Sequence, residues 1–115
     1  MIEGLWSVVF KSNLGIIGSG VAVFETGRVF GGDSAFIFVG KYTVNQGVVQ
    51  AQVSITKYSD IANMRSIFGN RSNFNVNVSG RIDPENPKHL EITGYLVEDK
   101  NMRLTIIATR QVDLP

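Results

Sequence analysis

Apolar and polar side chains alternate with a period of two along most of this sequence, a rhythm that suits strands with one packed face and one wet face and does not suit helices. Val49, Ala51, Val53 and Ile55 fall on one face of a segment whose other face carries Gln50, Gln52, Ser54 and Thr56. Phe74, Val76, Val78 and Ile82 oppose Asn75, Asn77, Ser79 and Arg81 in the same way. Leu90, Ile92 and Leu96 oppose Glu91, Thr93 and Tyr95, and Gly94 lies on the apolar side, where a missing side chain permits a bend or a close approach. Half-buried antiparallel strands are predicted for all three stretches.

Five more strands read less cleanly. Trp6, Val8 and Phe10 supply an inward face for the first, the stretches 18–25 and 28–30 flank a short Thr26-Gly27 turn, 36–44 is apolar on both faces, and 103–111 closes the chain. A strand with two apolar faces needs cover on its outer side, which makes Ile37, Val39 and Ile107 the candidate contacts of a homodimer. Asn45-Gln46-Gly47 offers a glycine for a short hairpin loop, and Asp99-Lys100-Asn101 is expected to turn the chain before the last strand. Asp83-Pro84-Glu85-Asn86-Pro87 reads as a rigid loop, because two prolines fix φ and remove ladder donors.

One stretch changes period. Ser59-Asp60 offers an N-cap, Ile61, Met64 and Phe68 recur at i, i+3 and i+7, and Gly69-Asn70 supplies a stop, so one short helix is predicted. Eight short strands in succession most naturally close into an all-β, antiparallel up-and-down barrel, since closure removes edges that would recruit other chains. A two-sheet sandwich is the alternative. The length of 115 residues suits a single β-barrel domain over 1–115.

Eleven basic against ten acidic residues leave a net charge of +1, far from the clustered excess that direct nucleic-acid binding requires. Absence of cysteine excludes disulfides and thiolate metal sites and fits a reducing compartment. Glu3 stands where a secretory signal would carry positive charge, and no apolar run approaches the roughly 20 residues that span a bilayer, so a cytoplasmic protein without a membrane segment is expected. Hydrophobic residues reach 43% while charged residues stop at 18%, below the usual level of about 25%, which leaves surplus apolar surface for a cavity or a second subunit.

Candidates for chemistry are few. His89 is the only histidine and stands at the start of a strand, where a solvated role outweighs that of a general base. The carboxylates are dispersed, and the closest pair, Asp83 and Glu85, suits turn capping better than catalysis or metal binding. Glycines between 15 and 20 precede a strand and not a helix, so they do not form a phosphate cradle. Gly31-Gly32-Asp33 joins two apolar strands, where the glycines suit a tight corner and Asp33 can accept backbone N–H bonds. No catalytic residue, cofactor or metal is therefore expected, and the chain is read as a non-enzyme.

The aromatic set bears on the interior. Trp6, Phe10 and Phe24, with Phe36, Phe38, Tyr42 and Phe74, suffice to fill an eight-stranded barrel, whose interior holds either side chains or one small ligand. A filled core is the favoured expectation, and a cavity lined by these residues for a small apolar molecule is the alternative. Gly4-Leu5-Trp6 in the first strand with Arg110 in the last resembles the lipocalin pattern, in which a tryptophan and an arginine close the barrel base.

A second resemblance rests on more residues. Gly4-Leu5-Trp6-Ser7-Val8-Val9-Phe10, then Gly18 and Gly20, Gly27, Gly31-Gly32-Asp33, Gly40 with Tyr42, and Lys57-Tyr58 are similar to the family of negative regulators of type III secretion typified by GrlR. The likeness covers the first half by residue and the second half as a strand pattern. It implies a lipocalin-like eight-stranded barrel with a helix, a homodimer, and restraint of secretion genes by binding a protein, such as a transcriptional activator, without touching DNA. The family's acidic run after the strand holding Gly40 has no counterpart here, since Thr43-Val44-Asn45-Gln46-Gly47 holds no carboxylate, and a different protein partner is implied.

Overall fold

The computed structural model describes residues 2–59 and 65–115, and these form a closed antiparallel barrel of eight strands. The strands are β1 (Gly4–Ser12), β2 (Ile17–Glu25), β3 (Arg28–Gly32), β4 (Phe36–Asn45), β5 (Val48–Lys57), β6 (Asn73–Arg81), β7 (His89–Leu96) and β8 (Asp99–Val112). Each pairs with its neighbour in sequence, and β1 closes on β8 through a register that includes Val8 opposite Ala108 and Phe10 opposite Ile106. The period of two has its expected result, with Trp6, Val8, Ala22, Phe24, Phe38, Val53, Phe74, Val76 and Leu90 buried on the inner wall.

Short loops set the register at one end. Thr26 and Gly27 have φ of 48° and 79°, and Gln46 and Gly47 have φ of 52° and 78°, so both two-residue loops turn with the hand that matches strand twist. At the proline loop the Asp83 carboxylate accepts a bond of 2.9 Å from the Glu85 N–H.

Two expectations are corrected. No helix occurs among the described residues: Ser66-Ile67-Phe68-Gly69 forms a tight turn, in which the Ser66 hydroxyl donates to the Gly69 carbonyl and accepts from the Phe68 N–H. The rest of the expected helix, 60–64, lies outside the described residues. The same Ser, Gly and Asn signals that cap helices also close turns, and burial of Ile67 and Phe68 over the barrel end decides between them. The β7–β8 connection turns at Val97-Glu98 and not at Asp99-Lys100-Asn101. There the register slips between Tyr95 and Leu96, and the Asp99 carboxylate accepts the Asn101 N–H at 3.1 Å, so those polar residues shape a bulge just after the turn.

Candidate functional site: a hollow barrel with a closed base

The end of the barrel where β1 begins is stoppered by aromatic packing. Trp6 is 1% exposed, and its indole N–H donates to the Ile2 carbonyl at 2.8 Å, which ties the buried Ile2 beneath the base. Trp6 meets Phe24 edge-on at 5.9 Å, and Phe24 meets Tyr42 edge-on at 5.2 Å, the geometry that ring quadrupoles favour. The Arg110 guanidinium stands 5.4 Å from the Trp6 ring and reaches the Asp113 carboxylate at 2.7 Å.

Above that base the barrel is not filled. A cavity of about 390 Å³ occupies the interior, bounded by Val8, Phe10, Phe24, Phe36, Phe38 and Phe74 with aliphatic side chains between them. Five of the seven aromatic residues stand along its wall, with Phe10 edge-on to Phe38 at 5.8 Å, and inward positions Gly18, Ala22 and Ala51 contribute almost no volume. Phe10, Phe24, Phe36, Phe38 and Phe74 border the hollow, whereas Trp6 and Tyr42 lie against Phe24 and do not line it.

Polar groups gather at the far end only. Ser19, Asp33, Ser34, Arg65 and Ser66 border the cavity there, beside Ile17. The segment after β5 helps to cover this end: Ile67 and Phe68 are buried, Phe68 meets Phe74 edge-on at 5.7 Å, and the buried Ser12 hydroxyl donates to the Ile67 carbonyl. Asp33 accepts the N–H groups of Ala35 and Phe36 at 2.9 and 2.8 Å, and Gly31 and Gly32 end β3 just before it, so the three residues form the corner into β4. Ile67, Phe68, Arg65 and the small residues Ala22 and Ala51 escaped the sequence reading of the cavity. Alanines at inward strand positions were the available signal, since each leaves room opposite a larger side chain.

His89 opens β7, half-buried, and its N–H donates to the Asn86 carbonyl at 3.2 Å. Among the described residues no three His, Cys, Asp or Glu side chains gather as a metal site needs, and no helix is long and apolar enough to cross a membrane.

The expected dimer contacts separate on the outer wall. Ile37 and Val39 are 42% and 55% exposed and lie on β4 between β3 and β5, whereas Ile107 is half-buried on β8 opposite Val9. The register extends Val39 into a row that the sequence did not reveal: Val39 pairs Phe30, Phe30 pairs Val23, Val23 pairs Leu5 and Leu5 pairs Val112, five outward apolar side chains on five adjacent strands.

No protein-family profile matches the chain, and no curated protein matches it. Among solved structures, one described as a redesigned beta barrel is 14% identical, with 96% of this chain and 91% of that chain covered at a TM-score of 0.46.

Proposed function

We propose that this protein is a binding protein without a catalytic step, and that its barrel interior takes up one small apolar molecule in the manner of a lipocalin. The apolar hollow of about 390 Å³ carries this reading, since pockets of roughly 300–1,000 Å³ lined by aromatic and aliphatic side chains are the usual form of a small-molecule site. At about 30 Å³ for each water-sized atom, the space holds roughly 13 non-hydrogen atoms. Polar groups at one end favour a molecule with an apolar body and a single polar end pointing toward Ser34 and Arg65. The Trp6–Arg110 stack at the base supports the lipocalin likeness.

Titration with 1-aminonaphthalene, whose emission shifts to the blue in apolar surroundings, tests this reading. Saturable binding with a dissociation constant on the order of 10 µM is expected, within the range that ligand efficiency allows a molecule of this size. The double substitution Ala22→Leu with Ala51→Leu adds bulk on the cavity wall and is expected to weaken binding at least tenfold without lowering the melting temperature. Absence of saturable binding by the unsubstituted protein, or equal binding by the filled variant, overturns it.

A second reading is favoured by the outer apolar row: a homodimeric regulator that acts through protein contacts, as the GrlR-like residues of β1 to β4 imply. Phe30, Val39 and Val112 are exposed at 40%, 55% and 57%, an amount of apolar surface that burial against a second copy would remove from water. Light scattering at micromolar concentration is expected to give twice the 12.6 kDa of one chain, and Phe30→Asp with Val39→Asp to return it to the monomer with an unchanged far-ultraviolet spectrum. A monomer before substitution counts against this reading, as does a pull-down from the source cell that retains no transcriptional activator.

A further inference from the structure

The outer wall opposite the apolar row has the reverse character. Lys41 on β4 pairs Gln52 on β5, Gln52 pairs Asn77 on β6, Asn77 pairs Tyr95 on β7, and Tyr95 pairs Arg103 on β8. Two residues along, Thr43 pairs Gln50, Gln50 pairs Ser79, Ser79 pairs Thr93, Thr93 pairs Thr105, and Thr105 pairs Lys11 on β1. Two parallel rows of polar heads therefore cross this wall, and at about 4.8 Å per strand the first row is about 19 Å wide. Barrel strands twist, so the wall is saddle-shaped, and these rows line an open concavity of about 1060 Å³.

The charge of the concavity is one-sided. Lys11, Lys41, Lys100 and Arg103 line it, all exposed, and no carboxylate does. Among the described residues none of the four forms an ion pair, while the Lys100 ammonium lies 5.6 Å from the Tyr95 ring. A chain of net charge +1 has thus collected four cations on one face.

We propose that this groove docks an acidic segment of a protein partner, with Lys41 at one side and Arg103, Lys11 and Lys100 at the other meeting its carboxylates. The hydroxyl and amide heads between them bond its polar groups. A single-stranded nucleic acid is disfavoured, because base recognition without a code relies on several aromatic platforms and the groove presents outward only Tyr95, already beside Lys100. A membrane surface is disfavoured because the wall is concave and its outward rows carry no large aliphatic side chain to insert. The site lies on the outside of the barrel, so it is separate from the interior cavity and from the outer apolar row.

Fluorescence anisotropy with a labelled 20-residue polyglutamate, a 20-nucleotide oligothymidylate and phosphatidylserine-containing vesicles tests the proposal at low salt. Polyglutamate is expected to bind most tightly of the three. Lys41→Glu with Arg103→Glu is expected to weaken it at least tenfold, while Lys88→Glu with Arg71→Glu, the same change of charge outside the groove, leaves it within about twofold. Circular dichroism checks that both variants keep their strands, and 1-aminonaphthalene binding is expected to be unchanged in the groove variant. Absence of polyglutamate binding, equal loss in the two variants, or tighter binding of the oligonucleotide or the vesicles overturns it.

Discussion

Trp6→Ala is expected to lower the melting temperature by about 15–25 °C. The indole is 1% exposed and supports three neighbours at once: the edge of Phe24, the Ile2 carbonyl and the Arg110 guanidinium. Truncation of a large buried aromatic costs about 3–5 kcal/mol through lost transfer free energy and the cavity left behind. Loss of the stack leaves Arg110 without its ring, worth about 0.5–2 kcal/mol in partly desolvated settings, and part of this is contained in the first figure. For a domain of this size each kcal/mol shifts the midpoint by about 4–6 °C. Trp6→Phe keeps a ring against Phe24 but removes the indole donor, so a smaller cost of about 1–3 kcal/mol is expected, the usual range for an unsatisfied buried acceptor. Thermal melts followed by circular dichroism separate these values. A loss below 1 kcal/mol for the alanine variant would mean that the base is held elsewhere.

The pairing of Trp6 with Arg110 was legible only through the resemblance to the lipocalin pattern, and the two residues meet because β1 closes on β8. Strand positions were legible for the same reason that the fold exists: one buried face forces polar and apolar residues into alternation, as in Val49 to Thr56. Volume was not. Alternation shows which way Phe36 or Phe74 points but not how far the opposite wall stands, which depends on strand tilt and shear, and so seven aromatics read as filling a space that five of them only line. Within the expected helix, Ser66 to Gly69 misled for a local reason. Their Ser and Gly signals serve turns and helices alike, and the decision was made by the burial of Ile67 and Phe68 at the barrel end, a tertiary effect that sequence spacing does not carry. The outer rows were hidden because Lys41, Gln52, Asn77, Tyr95 and Arg103 become neighbours only once register is known. None of them stands near the others in sequence.

Gly31→Ala is expected to abolish the folded barrel or to destabilise it by more than about 4 kcal/mol, the range reserved for substitutions that strike a structural necessity. Gly31 sits at an inward position of β3 between Ala22 and Phe38. A Cβ there would lie 2.0 Å from the Val21 carbonyl oxygen and 2.7 Å from the Ala22 Cα. Both are backbone atoms of β2, so no rotamer change relieves the overlap, and the two strands must part along a ladder that runs from Val21 to Glu25. The close approach is what lets the wall turn this corner around the cavity. Gly47→Ala offers the contrast: at φ 78° with nothing within 4 Å of its added carbon, it strains only its own backbone, at about 1–2 kcal/mol. Denaturant melts of the two variants distinguish the cases. Equal midpoints would show that β2 and β3 separate readily, in which event the barrel wall is soft at this corner and the interior volume is not fixed by the sheet.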